Sequence, residues 1–379
     1  MKKRKRLLSL IALTALVFTL LAGCQTKTEN QNTSSGGEPS ATTEPSATDA
    51  AATPVPTKDD AQSNLQYPKT VSIGYFTGND DNVLVKENGW LEEALSPYGV
   101  EVKWVNFQAG REMNNAMLAK SIDFSGGIGD PPVAIAAASN IPYEVFWISS
   151  VIGESEALVA KNSSNITSIA DLKGKKIATT VSSTSHYSLL SALELNGLSP
   201  TDVNIIDLTP PDIVAAWERG DIDAAYTWDP NLSKLYADGT KLISSKDLAA
   251  QGAPTSGYDI VRTEFAQKYP QVVKAYIDAL IKAHALYTND PDTAGELWAK
   301  ANSITKEDAL LQAKGTVWLT AEQQLTADYL GTSAQKGKTV DSIKKIGDFL
   351  VDQKSLDSKL DASAYDKYVN PSYLENAIK

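Results

Sequence analysis

Lys176-Ile-Ala-Thr-Thr180 runs into Val181-Ser-Ser-Thr-Ser-His-Tyr187 and on to Asn196. This stretch reads as a strand over 176–180, a hydroxyl-rich turn over 181–187 and a helix over 186–196, the turn's serines and threonine being good N-caps. Downstream the pattern repeats, with strands over 203–207 and 222–226 flanking a helix over 211–219. Upstream lies an earlier set, with strands at 71–75, 100–105, 122–125 and 143–149 and helices at 83–95, 114–119 and 132–139. Short β-rich runs alternating with helical periodicity imply parallel βα units with helices on both faces of a sheet. Beyond Tyr258 the chain turns mostly helical, with Val272, Val273, Tyr276, Ile277, Leu280 and Ile281 at helical spacing. The expected fold is α/β, two Rossmann-like lobes followed by a helical C-terminal region.

In open sheets of this class, ligands bind beyond the carboxyl ends of strands, where loops enter helices. Two turns fit: 181–187, and Gly126-Gly-Ile-Gly-Asp-Pro-Pro132, whose prolines suit a first helical turn. Free main-chain N–H groups and the positive end of the helix dipole make each a candidate anion seat. Plain capping is the other reading of both.

Composition narrows the chemistry. The 379 residues suit two domains. The net charge of −11 argues against nucleic-acid or anionic-lipid binding through the protein surface, both of which need a basic face. One cysteine excludes a disulfide framework and a Cys-clustered zinc site, and two histidines leave little for a metal centre. No metal or cofactor is expected. Gly127-Ile-Gly129 fails as a dinucleotide fingerprint because Pro132 stands where the third glycine belongs. No Gly-x-Ser-x-Gly elbow accompanies His186 or His284, so no nucleophile and base pair is evident.

Residues 1–23 read as a signal peptide, with a basic start at Lys2 to Arg6, an apolar run from Leu7 to Leu21, and Ala22-Gly23 before Cys24. The spacing resembles the bacterial lipobox, which implies lipidation of Cys24 and anchorage to the extracytoplasmic face of the membrane. Loss of the five leading positive charges would take the net charge from −11 to −16. From Gln25 to Gln66 there is no aromatic residue, and Glu38-Pro-Ser-Ala-Thr42 recurs as Glu44-Pro-Ser-Ala-Thr48. Such a segment cannot bury enough apolar surface to offset its ordering entropy, so 24–66 reads as a disordered, lipid-anchored tether.

Several segments resemble the taurine-binding and aliphatic-sulfonate-binding proteins of bacterial ABC importers. They are Ser155-Glu-Ala-Leu-Val159, Asp171-Leu-Lys-Gly-Lys-Lys-Ile-Ala178, Thr184-Ser-His-Tyr-Ser-Leu-Leu190, Ala215-Ala-Trp-Glu-Arg-Gly-Asp-Ile-Asp223, Ala225-Tyr-Thr-Trp228, Gly252-Ala-Pro-Thr255 and Leu319-Thr-Ala-Glu-Gln-Gln324. The resemblance implies a type II periplasmic-binding-protein fold divided into 67–153 (first lobe), 154–257 (second lobe) and 258–379 (return to the first lobe and C-terminal helices). It also implies a monomer that clamps a small sulfonate between its lobes, performs no catalysis, and delivers the ligand to a permease powered by a separate ATPase. Receptors of the same fold for nitrate, a thiamine precursor or an aromatic acid are the alternative, and a secreted lipoprotein enzyme a further one.

Carried over by position, the cleft falls on Phe76, Thr77, Asp80, Gly129, Asp130, Glu156, Ser183, Thr184, Ser185, His186, Trp228 and Thr255. Hydroxyls at 183–185, His186 and nearby main-chain N–H groups are the expected donors to a sulfonate. Asp80, Asp130, Glu156 and Asp229 are the expected partners of an ammonium, and Trp228 and Phe76 the walls for an alkyl chain. Two departures bear on the ammonium: the taurine-binding members carry an acid where Gly257 stands and a glutamine where Phe76 stands. Asp130 likewise replaces a small hydroxyl residue.

Overall fold

The computed structural model describes residues 65–379. The expected signal peptide, Cys24 and the tether as far as residue 64 lie outside the described residues. Eleven strands, numbered along the chain, form two sheets among the described residues. The first contains β1 (Thr70–Phe76), β2 (Glu101–Phe107), β3 (Phe124–Gly129), β4 (Tyr143–Ile152), β10 (Ser256–Arg262) and β11 (Thr316–Val317) in the order β11-β4-β10-β3-β1-β2. The second contains β5 (Glu156–Lys161), β6 (Lys176–Thr179), β7 (Asn204–Asp207), β8 (Ala224–Trp228) and β9 (Gly239–Ser244) in the order β7-β6-β8-β5-β9.

The expected parallel units are present as β2-β1-β3 and β7-β6-β8. The strands next to the crossings run the other way, β10 antiparallel to β3 and β4, and β5 antiparallel to β8 and β9. The chain therefore passes between the sheets twice, at 153–155 and at 251–255. At the first crossing, a Cβ on Gly153 would stand 2.5 Å from the Gly315 carbonyl, so only glycine fits. The second crossing ends two residues earlier than the sequence suggests. Ser256 and Gly257 belong to the first sheet, paired with Val151 and Ser150, rather than to the second lobe.

Local boundaries shift for identifiable reasons. The helix expected over 83–95 is two, Asp81–Asn88 and Trp90–Leu95, because Gly89 takes a left-handed φ of 65° and caps the first. The helix after the 181–187 turn starts at Thr184, since Ser183 is its N-cap.

The long helix Pro270–Asn289 buries Val272, Val273, Tyr276, Ile277 and Leu280 on the first sheet, with Ile281 half-buried at the edge. Tyr276 meets Phe124 edge-on at 4.9 Å, and Phe124 meets Phe265 and Phe146 at 5.4 and 6.0 Å. Such edge contacts add about 0.5–1.5 kcal/mol each beyond area burial. The Tyr276 hydroxyl donates to Asn82, whose amide donates at 3.1 Å to Asp259 on β10. Asp259 also accepts from the Gly127 N–H at 3.0 Å, so the packed helix reaches the 126–132 turn through a buried polar chain. The helices Pro291–Asn302, Lys306–Ala313 and Thr339–Asp352, with the short Ala321–Gln324, Ala362–Asp366 and Ser372–Ala377, complete the C-terminal region.

Candidate functional site

A cavity of about 140 Å³ lies between the two sheets, at the carboxyl ends of β1, β3 and β8 and beside the first crossing. Each wall is set by a local feature. After β1, Phe76, Thr77, Asn79 and Asp80 line it. Asp80 caps the helix Asp81–Asn88 by accepting from the Val83 N–H at 2.9 Å, and its main-chain carbonyl accepts from Trp298 at 3.0 Å. Burial pushes the Asp80 carboxyl up to about 6.

Across the cleft, Glu156 opens β5 directly opposite Trp228 on β8. Glu156 is 2% exposed, and no cation pairs with it among the described residues. Thr184 donates to it at 2.7 Å and Ser245 at 3.1 Å. Burial raises it to about 7, against the pull of the surrounding hydroxyls. Asp229 follows Trp228 on the same wall and accepts from the Ser233 hydroxyl and N–H at 2.6 and 3.0 Å, while burial raises it to about 6. Phe76 and Trp228 face one another from opposite walls, their rings 6.4 Å apart. The lining includes no lysine or arginine.

The lobes touch where Gly129 meets Thr184, for a Cβ at Gly129 would stand 2.6 Å from the threonine methyl. Ser183 caps its helix, accepting from the His186 N–H at 3.3 Å and donating to the Thr180 carbonyl at 2.6 Å. Just before it, Ser182 takes a φ of 66°, uncommon for a residue with a side chain. The N–H groups of Thr184 and Ser185, in the first helical turn, have no intrahelical acceptor.

Nine of the thirteen expected ligand residues line this cavity: Phe76, Thr77, Asp80, Gly129, Glu156, Ser183, Thr184, Trp228 and Asp229. The other four are buried behind it. Asp130 accepts from the Tyr258 hydroxyl and the Ser256 N–H, both at 2.5 Å, so it fastens β10 instead of facing a ligand. His186 is turned back, its Nδ1 accepting from the Ser182 N–H at 3.4 Å, and burial lowers its pKa and keeps it neutral. Ser185 and Thr255 are buried, the Thr255 hydroxyl without a hydrogen-bond partner among the described residues and the Ser185 hydroxyl among those that pull the Glu156 pKa down. The hydroxyls of Ser183 and Thr184 differ from expectation in a second way. Both already donate, to Thr180 and Glu156, which leaves main-chain N–H groups as the turn's free donors.

Sequence reasoning missed Asn79, Ser149, Ser150, Ser155, Gln312 and Thr316 on the lining. A signal existed for Ser149 and Ser150, polar residues ending the apolar run Val145 to Ile148 at a strand's carboxyl end. Gln312 lies in the helical tail, where a lone glutamine carries no pattern.

The sequence profile of the family described as NMT1/THI5 like matches residues 82–294, more than half of the chain. This chain belongs to that family. It is 35% identical over 316 residues to the taurine-binding periplasmic protein of Escherichia coli (strain K12), covering 80% of this chain and 92% of the relative. Among solved structures, the alkanesulfonate-binding protein SsuA from Xanthomonas axonopodis pv. citri bound to MOPS superimposes with a TM-score of 0.67 at 23% identity. That match covers 79% of this chain and 98% of that one. The desulfurization enzyme DSZB has a TM-score of 0.60 at 17% identity, covering 82% of this chain and 99% of that one. Members and neighbours of the family thus share the two-lobed periplasmic-binding-protein fold that the sequence implied, while their names span binding and catalysis.

Proposed function

We propose that this family member is the extracytoplasmic receptor of an ABC importer and binds taurine or a related small sulfonate between its lobes. The observation that carries the reading is the chemistry of the cavity. A helix start with free N–H groups lies at one side, carboxyls at Asp80, Glu156 and Asp229 stand around it, and no cation lines it. A simple anion would meet uncompensated carboxylates there. A zwitterion satisfies both, its sulfonate at the N–H groups and its ammonium at the carboxyls, each hydrogen bond to a charged group contributing about 1.5–3 kcal/mol. The volume agrees, since a cavity of about 150 Å³ holds one benzene ring and taurine has a comparable number of heavy atoms. The names of the similar taurine-binding and alkanesulfonate-binding proteins support the same class.

Binding without catalysis fits the residues present. The chain has no cysteine beyond Cys24, and His186 is turned away from the cavity, so neither a thiol nor a histidine base faces a ligand. The mechanism is hinge closure, the ligand stabilising the closed arrangement by its differential affinity. Lipidation at Cys24 and the tether to Gln66 would hold a monomeric receptor near its permease, and Cys24→Ser should release the protein from membranes into the medium.

A thermal-shift panel of taurine, ethanesulfonate, nitrate and thiamine precursors tests the ligand. At 100 times Kd a ligand stabilises by about 2.7 kcal/mol, and taurine is expected to give the largest shift. A shift from nitrate or a thiamine precursor with none from either sulfonate would overturn the reading. Chemical change in recovered taurine would restore the enzyme.

A further inference from the structure

The outer edge of the cavity is closed by side chains from places far apart in the chain. Asn302 ends the helix Pro291–Asn302, and its amide donates to the Asn79 side-chain oxygen at 2.7 Å. The Asn79 amide donates to the Gln312 oxygen at 3.0 Å, and the Gln312 amide donates to the Ser233 hydroxyl at 3.1 Å. The Ser233 hydroxyl donates in turn to the Asp229 carboxyl at 2.6 Å. Four hydrogen bonds therefore run head to tail from the C-terminal helices, through the loop after β1, across the cleft to a carboxyl on the second lobe.

Their direction is fixed by groups that can only accept. The Asn302 amide also donates to the Gly78 carbonyl at 3.0 Å, and the Asn79 amide to the Ala309 carbonyl at 3.1 Å. Neither amide can be flipped without setting an oxygen against a carbonyl, so Gln312 must present its N–H to Ser233. Aligned in this way, the bonds polarise one another toward the carboxylate at their end. The second oxygen of Asp229 is left for the cavity that the residue lines. Gln312 is 6% exposed, and its bond to Ser233 is the link in the chain that crosses between lobes.

We propose that Gln312 is a positioning residue that, on closure, orients the Asp229 carboxylate through Ser233 toward the cationic end of the ligand. This rests on the zwitterion reading above. It gives the C-terminal region a part in ligand choice, since the helix Lys306–Ala313 lies outside both sheets and yet sets a carboxylate on the second.

Calorimetry with taurine and with ethanesulfonate, which lacks the ammonium, provides the test on wild type, Gln312→Leu, Gln312→Glu, Asp229→Asn and the Gln312→Leu/Asp229→Asn double variant. Gln312→Leu should weaken taurine roughly three- to tenfold, the worth of one hydrogen bond, and leave ethanesulfonate nearly unchanged. In the Asp229→Asn background it should cost taurine nothing more. Gln312→Glu should bind taurine poorly at pH 8 and recover toward pH 5, because a protonated carboxyl can donate to Ser233 as the amide does. Tyr236 also faces Asp229 and Glu154, and Asp80, Glu156 and Asp229 itself, each raised by burial, titrate over this range in every variant, so recovery is read as the ratio to wild type. Equal losses on both ligands, additive losses in the double variant, or no recovery would overturn the proposal. Should wild type bind neither sulfonate, the ligand reading fails by itself. The relay then stands or falls on the Asp229 carboxyl titration followed by NMR, which Gln312→Leu must move upward and which, if unmoved, overturns it.

Discussion

At 126–132 a strand hands over to a helix whose first carboxylate, Asp130, turns inward to Tyr258 and Ser256; at 181–187 the same hand-over keeps Ser183 and Thr184 on the cavity wall. Both turns end a parallel strand, and both bring a helix N-terminus to the cleft. Two substitutions of chemistry separate them. Pro131 and Pro132 remove N–H groups from the first helix start, and the Asp130 carboxylate is taken up by the Tyr258 hydroxyl and the Ser256 N–H. The first turn thereby becomes a fastening for the crossing strand β10, and the second keeps unpaired N–H groups beside the cavity. A helix start is an anion seat only if its donors remain free.

The largest expected effect breaks the fastening. Asp130→Ala leaves the buried Tyr258 hydroxyl and the half-buried Ser256 N–H without their acceptor, at up to about 1–3 kcal/mol each. Urea unfolding near pH 4, where the Asp130 carboxyl, raised by burial to about 6, carries almost no penalty of its own, should show a loss of roughly 2–5 kcal/mol that shrinks toward neutral pH, while taurine affinity of the folded protein changes little. A selective loss of affinity with unchanged stability would return Asp130 to the ligand.

The second turn carries its own acid, Glu156, and predicts a pH dependence. Its folded pKa of about 7 lies above an ordinary carboxyl's 4.5, so the folded state holds the proton more tightly. Its folding penalty is absent below about pH 4.5, grows as pH rises, and is complete above about 7. Glu156→Gln removes that penalty, so the variant should gain on wild type between pH 5 and pH 8 by up to roughly 3 kcal/mol. Equal pH slopes in urea unfolding would show that Glu156 is not held protonated.

Much of this was legible in the sequence, and the limits have physical causes. The βα alternation and the 272–281 stripe are local periodicities, and both appear, with Ile281 half-buried and some bounds displaced: the strand read at 222–226 is Ala224–Trp228, and the helix read at 114–119 is Gly110–Leu118. Strand direction at the crossings is a long-range property: nothing in Ser256 to Arg262 says that it pairs antiparallel with β4. The cavity-facing residues near strand ends were likewise legible because topology puts them there. Which of two neighbours faces inward was not, since it depends on distant partners: Asp130 meets Tyr258 and Ser256, whereas Gly129 meets Thr184 of the facing lobe. Gln312 lies more than 200 residues from Asn79, its partner across the edge of the site.

The N–H groups themselves can be tested by making the second turn resemble the first. Thr184 is the first helical residue, and Ser183 before it is extended at φ −102° and ψ 175°, so proline can enter at 184 without breaking the helix. Thr184→Pro and Thr184→Val both lose the hydroxyl bond to Glu156, but only the proline also loses the N–H. Taurine and ethanesulfonate should both bind the proline variant roughly ten- to a hundredfold more weakly than the valine variant. Equal affinities would move the sulfonate elsewhere in the cavity.

The smallest effect concerns the cap. Ser183→Ala removes the acceptor for the His186 N–H and should cost about 1 kcal/mol of stability. Its hydroxyl hydrogen is already given to Thr180, so a sulfonate gains nothing from it directly. Affinity should therefore fall only as far as the helix start loosens, less than roughly threefold, below the worth of a single hydrogen bond. A loss as large as that of Thr184→Pro would mean that the serine breaks its bond to Thr180 and donates to the ligand instead, making the hydroxyl, and not the main chain, the difference between the two turns.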